Sequence, residues 1–154
     1  MAPPPLTATD RYIHPETIKC YWVATIATVT SPSRAELNAG TDVTAEVADA
    51  TGWEVSAERQ PVPDAGSKFT ARISGRINPG DSQIAFWADK QTNDIRDLLD
   101  RDDVGYIVWL WGGDVAGQKM DVFPVEVSAI SKPVQIGGEP ARVMVDFSIR
   151  RLPA

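Results

Sequence analysis

The sequence predicts a mainly β fold: a β-sandwich or partly closed barrel of roughly seven strands with one short α-helix. Two observations predict it. Several runs of six to ten residues alternate apolar with polar side chains between turns rich in Gly, Pro and Asn. Only residues 91–103 depart from this pattern toward helical spacing. A chain of 154 residues is the size of one domain that buries a substantial core.

The N-terminal part of the chain divides into an arm and the start of a β domain. Residues 1–18 are Pro-rich and polar, which predicts a flexible arm, and residues 19–154 form a single β-sandwich domain. Residues 19–29 are rich in β-branched and aromatic side chains and predict a strand that ends at the turn of residues 31–33. Residues 43–47 predict a short strand with one polar face.

The middle of the chain holds the most regular alternation. Residues 58–67, which include two prolines and a glycine, predict a loop. Residues 68–77 predict a strand with an apolar face (Phe69, Ala71, Ile73 and Ile77) and a basic face (Lys68, Arg72 and Arg76). A basic face is typical of solvent exposure, and the alternative is contact with an acidic partner subunit. Residues 82–88 predict the next strand.

One helix is predicted, over residues 92–100. Ile95, Leu98 and Leu99 have the i, i+3, i+4 spacing of an amphipathic helix. Thr92 or Asn93 would cap its start. Acidic residues at its far end oppose the helix dipole, which limits the helix to two or three turns.

The stretch at residues 105–113, GYIVWLWGG, predicts a strand that is apolar on both faces. One face meets the core, and the other meets either a second layer of this chain or another subunit. Large aromatic side chains are enriched at interfaces, which favours the tryptophan face as the subunit contact. Residues 118–132 and 141–150 predict two further strands, with a bulge or sheet edge at Pro124.

The sequence offers little for catalysis or metal binding. The single histidine, His14, lies in the predicted arm, and the single cysteine, Cys20, begins an apolar strand. Residues 112–119 have glycines at P-loop spacing but lack its lysine, and residues 100–111 lack the last ligand of a calcium loop. We therefore expect no cofactor, no metal and no enzyme activity.

Charge and composition limit where the protein is expected to reside and which partners it is expected to bind. The net charge of −6 argues against tight nucleic-acid binding, although nucleic acid could still slide past such a surface. With no signal peptide, no lipidation motif and one cysteine, the expectation is a soluble intracellular domain without membrane insertion. The five tryptophans lie mostly in apolar runs, where core or interface use is favoured over a carbohydrate platform.

The segment at residues 35–53, AELNAGTDVTAEVADATGW, resembles a segment of the tail tube (major tail) proteins of actinobacterial tailed bacteriophages. The shared pattern is an acidic-Leu-Asn-x-Gly-Thr-Asp run, a short strand, and Gly52 followed by Trp53. The later order of strands, including DVFPVEV at residues 121–127, is similar too. The resemblance extends from about residue 18 onward.

The resemblance implies a structural virion protein that forms hexameric rings. Such rings stack into the tail tube, a tape-measure protein fills the lumen during assembly, and genomic DNA passes through it at ejection without specific binding. The protein would assemble in the host cytoplasm and reside in the virion tail. The alternatives are a tail terminator, the tube protein of an injection machine, or a carbohydrate-binding β-sandwich.

Two sets of residues are predicted to serve assembly. The subunit interface set is Ile107, Trp109, Trp111 and Trp53, and the acidic set facing the lumen is Glu46, Asp49, Glu126 and Asp146. The Pro-rich arm, residues 31–39 and residues 58–67 are the predicted contacts between rings, because long loops without structure of their own are usually functional.

Overall fold

The computed structural model describes residues 2–6, 11–91 and 93–154. The described residues form nine strands in two antiparallel sheets with little helix, which confirms the predicted mainly β, sandwich-like fold. Parts of two predictions, the N-terminal arm (at residues 1 and 7–10) and the helix cap at Thr92, lie outside the described residues. The strands are β1 (Lys19–Val23), β2 (Thr41–Asp42), β3 (Val47–Thr51), β4 (Val55–Val62), β5 (Ala71–Pro79), β6 (Ser82–Trp87), β7 (Val104–Leu110), β8 (Met120–Ser131) and β9 (Arg142–Ile149).

Seven strands form one sheet in the order β2-β1-β7-β8-β9-β6-β3. The sheet is strongly curved, since Trp53, just after edge strand β3, contacts Trp109 of β7, four places away (ring centroids 5.7 Å apart). The main core fills the concave side, where Ile84, Phe86 and Val125 are fully buried. Among the described strands, β2 and β3 do not pair, so the sheet stays open.

A second apolar cluster covers half of the convex side. Val108 and Leu110 of β7 and Val122 of β8 pack there beneath Leu37 of helix α1 (Arg34–Asn38). Both faces of β7 are therefore largely covered by this chain itself. Helix α1 begins with a capping box, in which Ser33 and Glu36 each accept a hydrogen bond from the other's backbone N–H.

Two local predictions near the start of the domain are wrong. Residues 43–47 form a 3₁₀ turn (Thr44–Glu46) and only the first residue of β3, because Asp42 accepts hydrogen bonds from the backbone and hydroxyl of Thr44 and turns the chain. The first half of the predicted loop at residues 58–67 lies in β4, which contains Pro61, and only residues 63–67 form a loop. A strand with a single neighbour has an open side, where the missing proline N–H is tolerated.

Pro124 lies inside a central strand without a bulge, which corrects the prediction of a bulge or edge there. Strand β9 ends at Ile149, opposite Val125, and the terminal residue Ala154 pairs with Val122. Pro124 falls between these two partners and accepts a hydrogen bond from the backbone N–H of Arg150 (2.8 Å), so only the reciprocal donor of this pair is missing, beyond the end of β9. The register shift of β8 comes later, between Val127 and Ala129.

The predicted helix at residues 92–100 is also wrong, since the chain makes only a 3₁₀ turn, Ile95–Asp97. Ile95 and Leu99 are buried as their spacing implied, but Asp94 determines the conformation. Its carboxylate accepts hydrogen bonds from the backbone of Asp89 (3.1 Å) and from the backbone and guanidinium of Arg96 (3.1, 2.9 and 2.7 Å). This carboxylate closes the turn and replaces a helical start.

Asp94→Asn is expected to lower the free energy of unfolding by about 1.5–3 kcal/mol at neutral pH, because charge-assisted hydrogen bonds to a buried group are lost. The hydrogen bonds from Arg96 hold the pKa of Asp94 below its usual range. A lowered folded-state pKa gives stability that is complete above about pH 5 and declines as the pH falls below roughly 4. Urea unfolding at pH 7 and pH 3 should show the gap between wild type and variant narrowing in acid.

The control is Asp97→Asn, an exposed carboxylate in the same turn, which should change stability by no more than about 0.5 kcal/mol. A gap between wild type and Asp94→Asn that stayed constant down to pH 3 would contradict this account of the turn.

Candidate assembly surfaces

The residues with catalytic potential are not assembled into a site. His14 is exposed, with its ring 5.7 Å from that of Trp111. Cys20 is 1% exposed, and burial, with a smaller contribution from Asp42, raises the pKa of its thiol far above the usual range. Within the described residues no group of three His, Cys, Asp or Glu side chains could hold a metal ion. No helix in that part of the chain is long and apolar enough to cross a membrane.

The hairpin of β4 and β5 with its tip, residues 55–79, is highly exposed. It is called the arm from here on and is distinct from the Pro-rich N-terminal segment of residues 1–18. It forms the separate two-stranded sheet, and every residue of both strands is exposed. At its base, Val55 and Ile77 adjoin the C-terminal segment near Leu152. An isolated hairpin is marginally stable in water, so an arm of this kind is typical of a segment that is stabilised by contact with a partner.

A bulge divides the arm into two halves with different faces. The register moves from Ala57 opposite Ile77 to Arg59 opposite Ser74, so three residues of β5 span two of β4. The extra residue reverses the faces, so Ile73 and Ile77 lie on opposite sides, which corrects the prediction that they share one face. In the distal half, one face is apolar (Val62, Ala71 and Ile73), and the other is basic (Arg59 and Arg72).

The arm is basic and the body is acidic. Residues 55–79 hold four basic and two acidic side chains, a net charge of +2. Because the whole chain carries −6, the remainder carries −8. Among the described residues, no arm cation forms an ion pair with a carboxylate of its own chain. The arm and the rest of the chain therefore carry net charges of opposite sign.

A cavity of about 330 Å³, the aromatic cavity, opens beside the root of the arm. Trp53, Trp109 and Trp111 line it, with the last two rings stacked at 5.8 Å and 11°. Trp53 donates its indole N–H to the carbonyl of Gln83, and Trp111 donates to Asp121. The indole N–H of Trp109, a residue only 5% exposed, has no partner among the described residues.

The four residues predicted for the subunit interface meet around this core but differ in accessibility. Ile107 is 0% exposed and Trp109 5%, so Ile107 has no surface with which to contact a neighbour. Trp53 and Trp111 are partly exposed and reach the surface at the aromatic cavity. Sequence reasoning missed the arm's strand β4; the signal available was the alternation of Val55 and Ala57 with polar residues.

Three of the four predicted lumen residues share the other half of the convex side, the polar face. Asp49 lies opposite Ala85 in register, Asp146 opposite Gln83, and Glu126 opposite Ser148. These positions alternate with the buried residues of β6, β8 and β9, so their side chains point to the convex side. Glu46 lies apart, in the 3₁₀ turn before β3.

Hydrogen bonds order the polar face without burying it. The amide of Gln83 donates to Asp146 at 2.6 Å, and Ser128 and Ser148 share a hydrogen bond between their hydroxyls. Asp49, Ser128 and Ser148 are exposed. The result is a fixed hydrophilic wall across four strands, on the side of the sheet away from the core.

The curved sheet, the projecting arm and the polar wall define a structural β-sandwich subunit. A family model described as phage tail tube protein matches residues 7–154, so the chain belongs to the phage tail tube protein family and is a structural component of a phage tail. A search of curated protein sequences finds no match.

Two solved structures share the fold at low sequence identity. One is the sheath/tube terminator of PVC, an extracellular contractile injection system, in the extended state (TM-score 0.66, 9% identity, covering 96% of this chain and 99% of that chain). The other is a chain of the anti-feeding prophage baseplate, described as 6-fold symmetrised (TM-score 0.62, 10% identity, covering 94% and 95%).

Proposed function

We propose that this chain is a non-enzymatic subunit of hexameric rings that stack into the phage tail tube, the conduit through which genomic DNA leaves the virion. The observation that carries the proposal is the arm. Its strands are wholly exposed, and Val62 and Ile73, which share its distal apolar face, are 45% and 59% exposed. Exposed apolar patches of this kind mark interaction sites, and a second copy of the chain is the partner that a tube subunit meets.

The polar face supplies the wall of the channel in this proposal. Its carboxylates Asp49 and Asp146 repel phosphates over roughly a Debye length of 8–10 Å, so DNA slides past instead of adhering. The third, Glu126, is paired with Arg150 at 3.6 Å and contributes less net charge. Glu46 remains a fourth candidate beside the same sheet edge. A tape-measure protein occupies the lumen while rings assemble in the host cytoplasm. The six-fold description of the anti-feeding prophage baseplate supports six subunits per ring.

Ile73→Glu combined with Val62→Glu is expected to abolish self-assembly while leaving the fold of the body intact. The change places two charges on the distal apolar face, where a neighbour would have to bury them unpaired. Negative-stain electron microscopy and sedimentation should show rings or tubes for the wild type and only monomers for the variant. Circular dichroism and thermal melting should show that the body of the variant is folded.

Ile136→Glu serves as the control, because it makes the same chemical change at a fully exposed position outside the arm. We expect this variant to assemble as the wild type does. Wild-type protein that stayed monomeric at high concentration in all salt conditions would overturn the proposal.

A second candidate, a tail terminator, is favoured by the likeness to the PVC sheath/tube terminator along nearly the full length of both chains. A terminator closes the end of a tube, so it would form single rings that do not stack on themselves. Electron micrographs separate the two, since the tube subunit should give particles many rings long and the terminator only isolated rings.

A further inference from the structure

We infer that the aromatic cavity of one copy is the receptor for the arm tip of a second copy, with Phe69 as the side chain that enters it. This inference rests on the proposed function, because it specifies the contact through which subunits join. It depends on three features: a partly open aromatic cavity, an exposed aromatic side chain, and opposite charges on the two parts of the molecule that carry them.

The cavity is unfinished within a single chain. Its three tryptophans present ring faces and edges to a space of about 330 Å³, which is large enough for a phenyl ring. The indole N–H of Trp109 is left without a partner although the residue is nine-tenths buried. Buried indole donors are normally satisfied, so a carbonyl or hydroxyl that enters with a partner completes the site.

Phe69 has the chemistry and the exposure that the cavity requires. It lies at the end of the arm, just before β5, and is 77% exposed, more than any other large apolar residue of the arm. Offset and edge-to-face contacts between aromatic rings stabilise a complex beyond the effect of buried area alone. The backbone carbonyls of the tip enter with the ring and can accept from Trp109.

The contact must join two copies, because the arm carries its own tip away from its own cavity. Trp53 lines the cavity and lies two residues before β4, so the root of the arm adjoins the cavity. The eight residues of β4 then extend the tip by about 25 Å at about 3.3 Å per residue. Only a neighbour's Phe69 can reach this cavity.

The charges favour the same pairing. The arm carries +2 and the rest of the chain −8, so the contact of an arm with a neighbour's body is attractive, while arm-to-arm contact is repulsive.

A contact between different surfaces of identical subunits is heterologous and repeats from copy to copy, which yields closed rings or stacked arrays. The geometry also sets the repeat. The tip of one copy coincides with the cavity of the next, so equivalent cavities lie one arm length, about 25 Å, apart whatever the rotation between subunits. A distance of about 25 Å between the cavities of successive copies is therefore what this contact predicts for the assembly.

The test is a pair of cysteines, Thr70→Cys with Ala50→Cys, since Thr70 is exposed next to Phe69, Ala50 lines the cavity and the native Cys20 is buried. Under mild oxidation the double variant should give a ladder of covalent multimers on a non-reducing gel. Each single variant should give at most dimers. Absence of the ladder in a preparation that still assembles would overturn the inference.

A second measurement does not depend on a disulfide. Phe69→Ala should raise the protein concentration needed for assembly by at least roughly tenfold, as expected for a buried aromatic anchor, while Phe69→Trp should assemble near the wild-type concentration. Ile136→Ala, a truncation of an even more exposed apolar side chain outside the arm, should have no effect.

The outcomes separate this inference from the proposed function. If Phe69→Ala assembles normally while Ile73→Glu with Val62→Glu does not, the arm joins subunits through its apolar face elsewhere, and only the cavity assignment fails. If wild-type protein never assembles, the proposed function itself fails. Quenching of tryptophan fluorescence by soluble glucose, with no effect of Phe69→Ala on assembly, would assign the cavity to a sugar instead.

Discussion

Gly52→Ala is expected to lower the free energy of unfolding by about 2–5 kcal/mol. Gly52 has φ +80°, a left-handed conformation that costs an L-residue roughly 1–2 kcal/mol. A Cβ at this position would also lie 2.1 Å from the carbonyl oxygen of Asp81, far inside van der Waals contact. Because that oxygen belongs to the backbone, the turn itself would have to move, which adds a strain of about 1–3 kcal/mol.

Gly117→Ala isolates the steric part of this effect. Gly117 has φ +86°, close to that of Gly52, but a Cβ there meets nothing within 4 Å. It should therefore cost only the conformational term of about 1–2 kcal/mol. Urea unfolding followed by circular dichroism compares the two variants directly. Equal losses of stability would show that the close approach of Gly52 to Asp81 does not govern the turn.

This turn illustrates what could be read from the sequence. Gly52 and Trp53 follow a short strand in the pattern that the sequence shares with tail tube proteins, but the strands on either side of them, β3 and β4, differ from the prediction. Alternation predicts strands best where burial on one face imposes a period of two. The long strands β6, β7, β8 and β9 were predicted to within a few residues for that reason. Which rings Trp53 meets depends on the curvature of the whole sheet, which no local pattern contains.

The errors have local physical causes. The helix predicted over residues 92–100 had the right buried residues, but the buried carboxylate of Asp94 offered the backbone a tighter turn. Helix α1 was missed although its signal, Ser33-x-x-Glu36 before Leu37, is that of a capping box. The prolines of residues 58–67 predict a loop, but Pro61 lies within β4. Because β4 has only one neighbouring strand, the missing backbone N–H of Pro61 is tolerated on its open side.

The candidate assembly surfaces were predictable in part. The acidic residues Asp49, Glu126 and Asp146 were chosen as polar partners in alternating strands, and the register brings these three to one face. The tryptophans were chosen as an outward set, whereas the curvature of the sheet turns Trp109 into the core and leaves the partly exposed Trp53 and Trp111 at a cavity. Sequence pattern gives the face of a strand, and only the closure of the sheet decides whether that face is inside.

Trp53→Ala is expected to destabilise the protein by about 3–5 kcal/mol, which corresponds to a fall in Tm of roughly 6–20 °C for a chain of this size. The ring of Trp53 makes close contacts with Phe123 at 5.2 Å and Phe147 at 5.4 Å, in addition to Trp109. It joins the end of β3 to the far side of the curved sheet. Its removal opens a cavity between β3 and β7, two strands that are not joined by backbone hydrogen bonds.

Thermal melting should be measured with Ile73→Glu and Val62→Glu present in every sample, so that assembly does not add to the apparent stability. Trp87→Ala is the matched control. Its ring is partly exposed and lies against Arg142, with the guanidinium 5.0 Å from the ring centre. An exposed cation–π contact contributes about 0.5–1 kcal/mol, so Trp87→Ala should lower the Tm far less than Trp53→Ala does.

Trp53 also matters for assembly, because it is both a core residue and a wall of the aromatic cavity. Trp53→Phe retains an apolar ring in the core but loses the indole N–H and shortens the wall. We expect it to recover most of the stability lost in Trp53→Ala and yet to assemble at a higher protein concentration than the wild type. Full recovery of both properties by phenylalanine would assign Trp53 to the core alone and leave the receptor surface to Trp111.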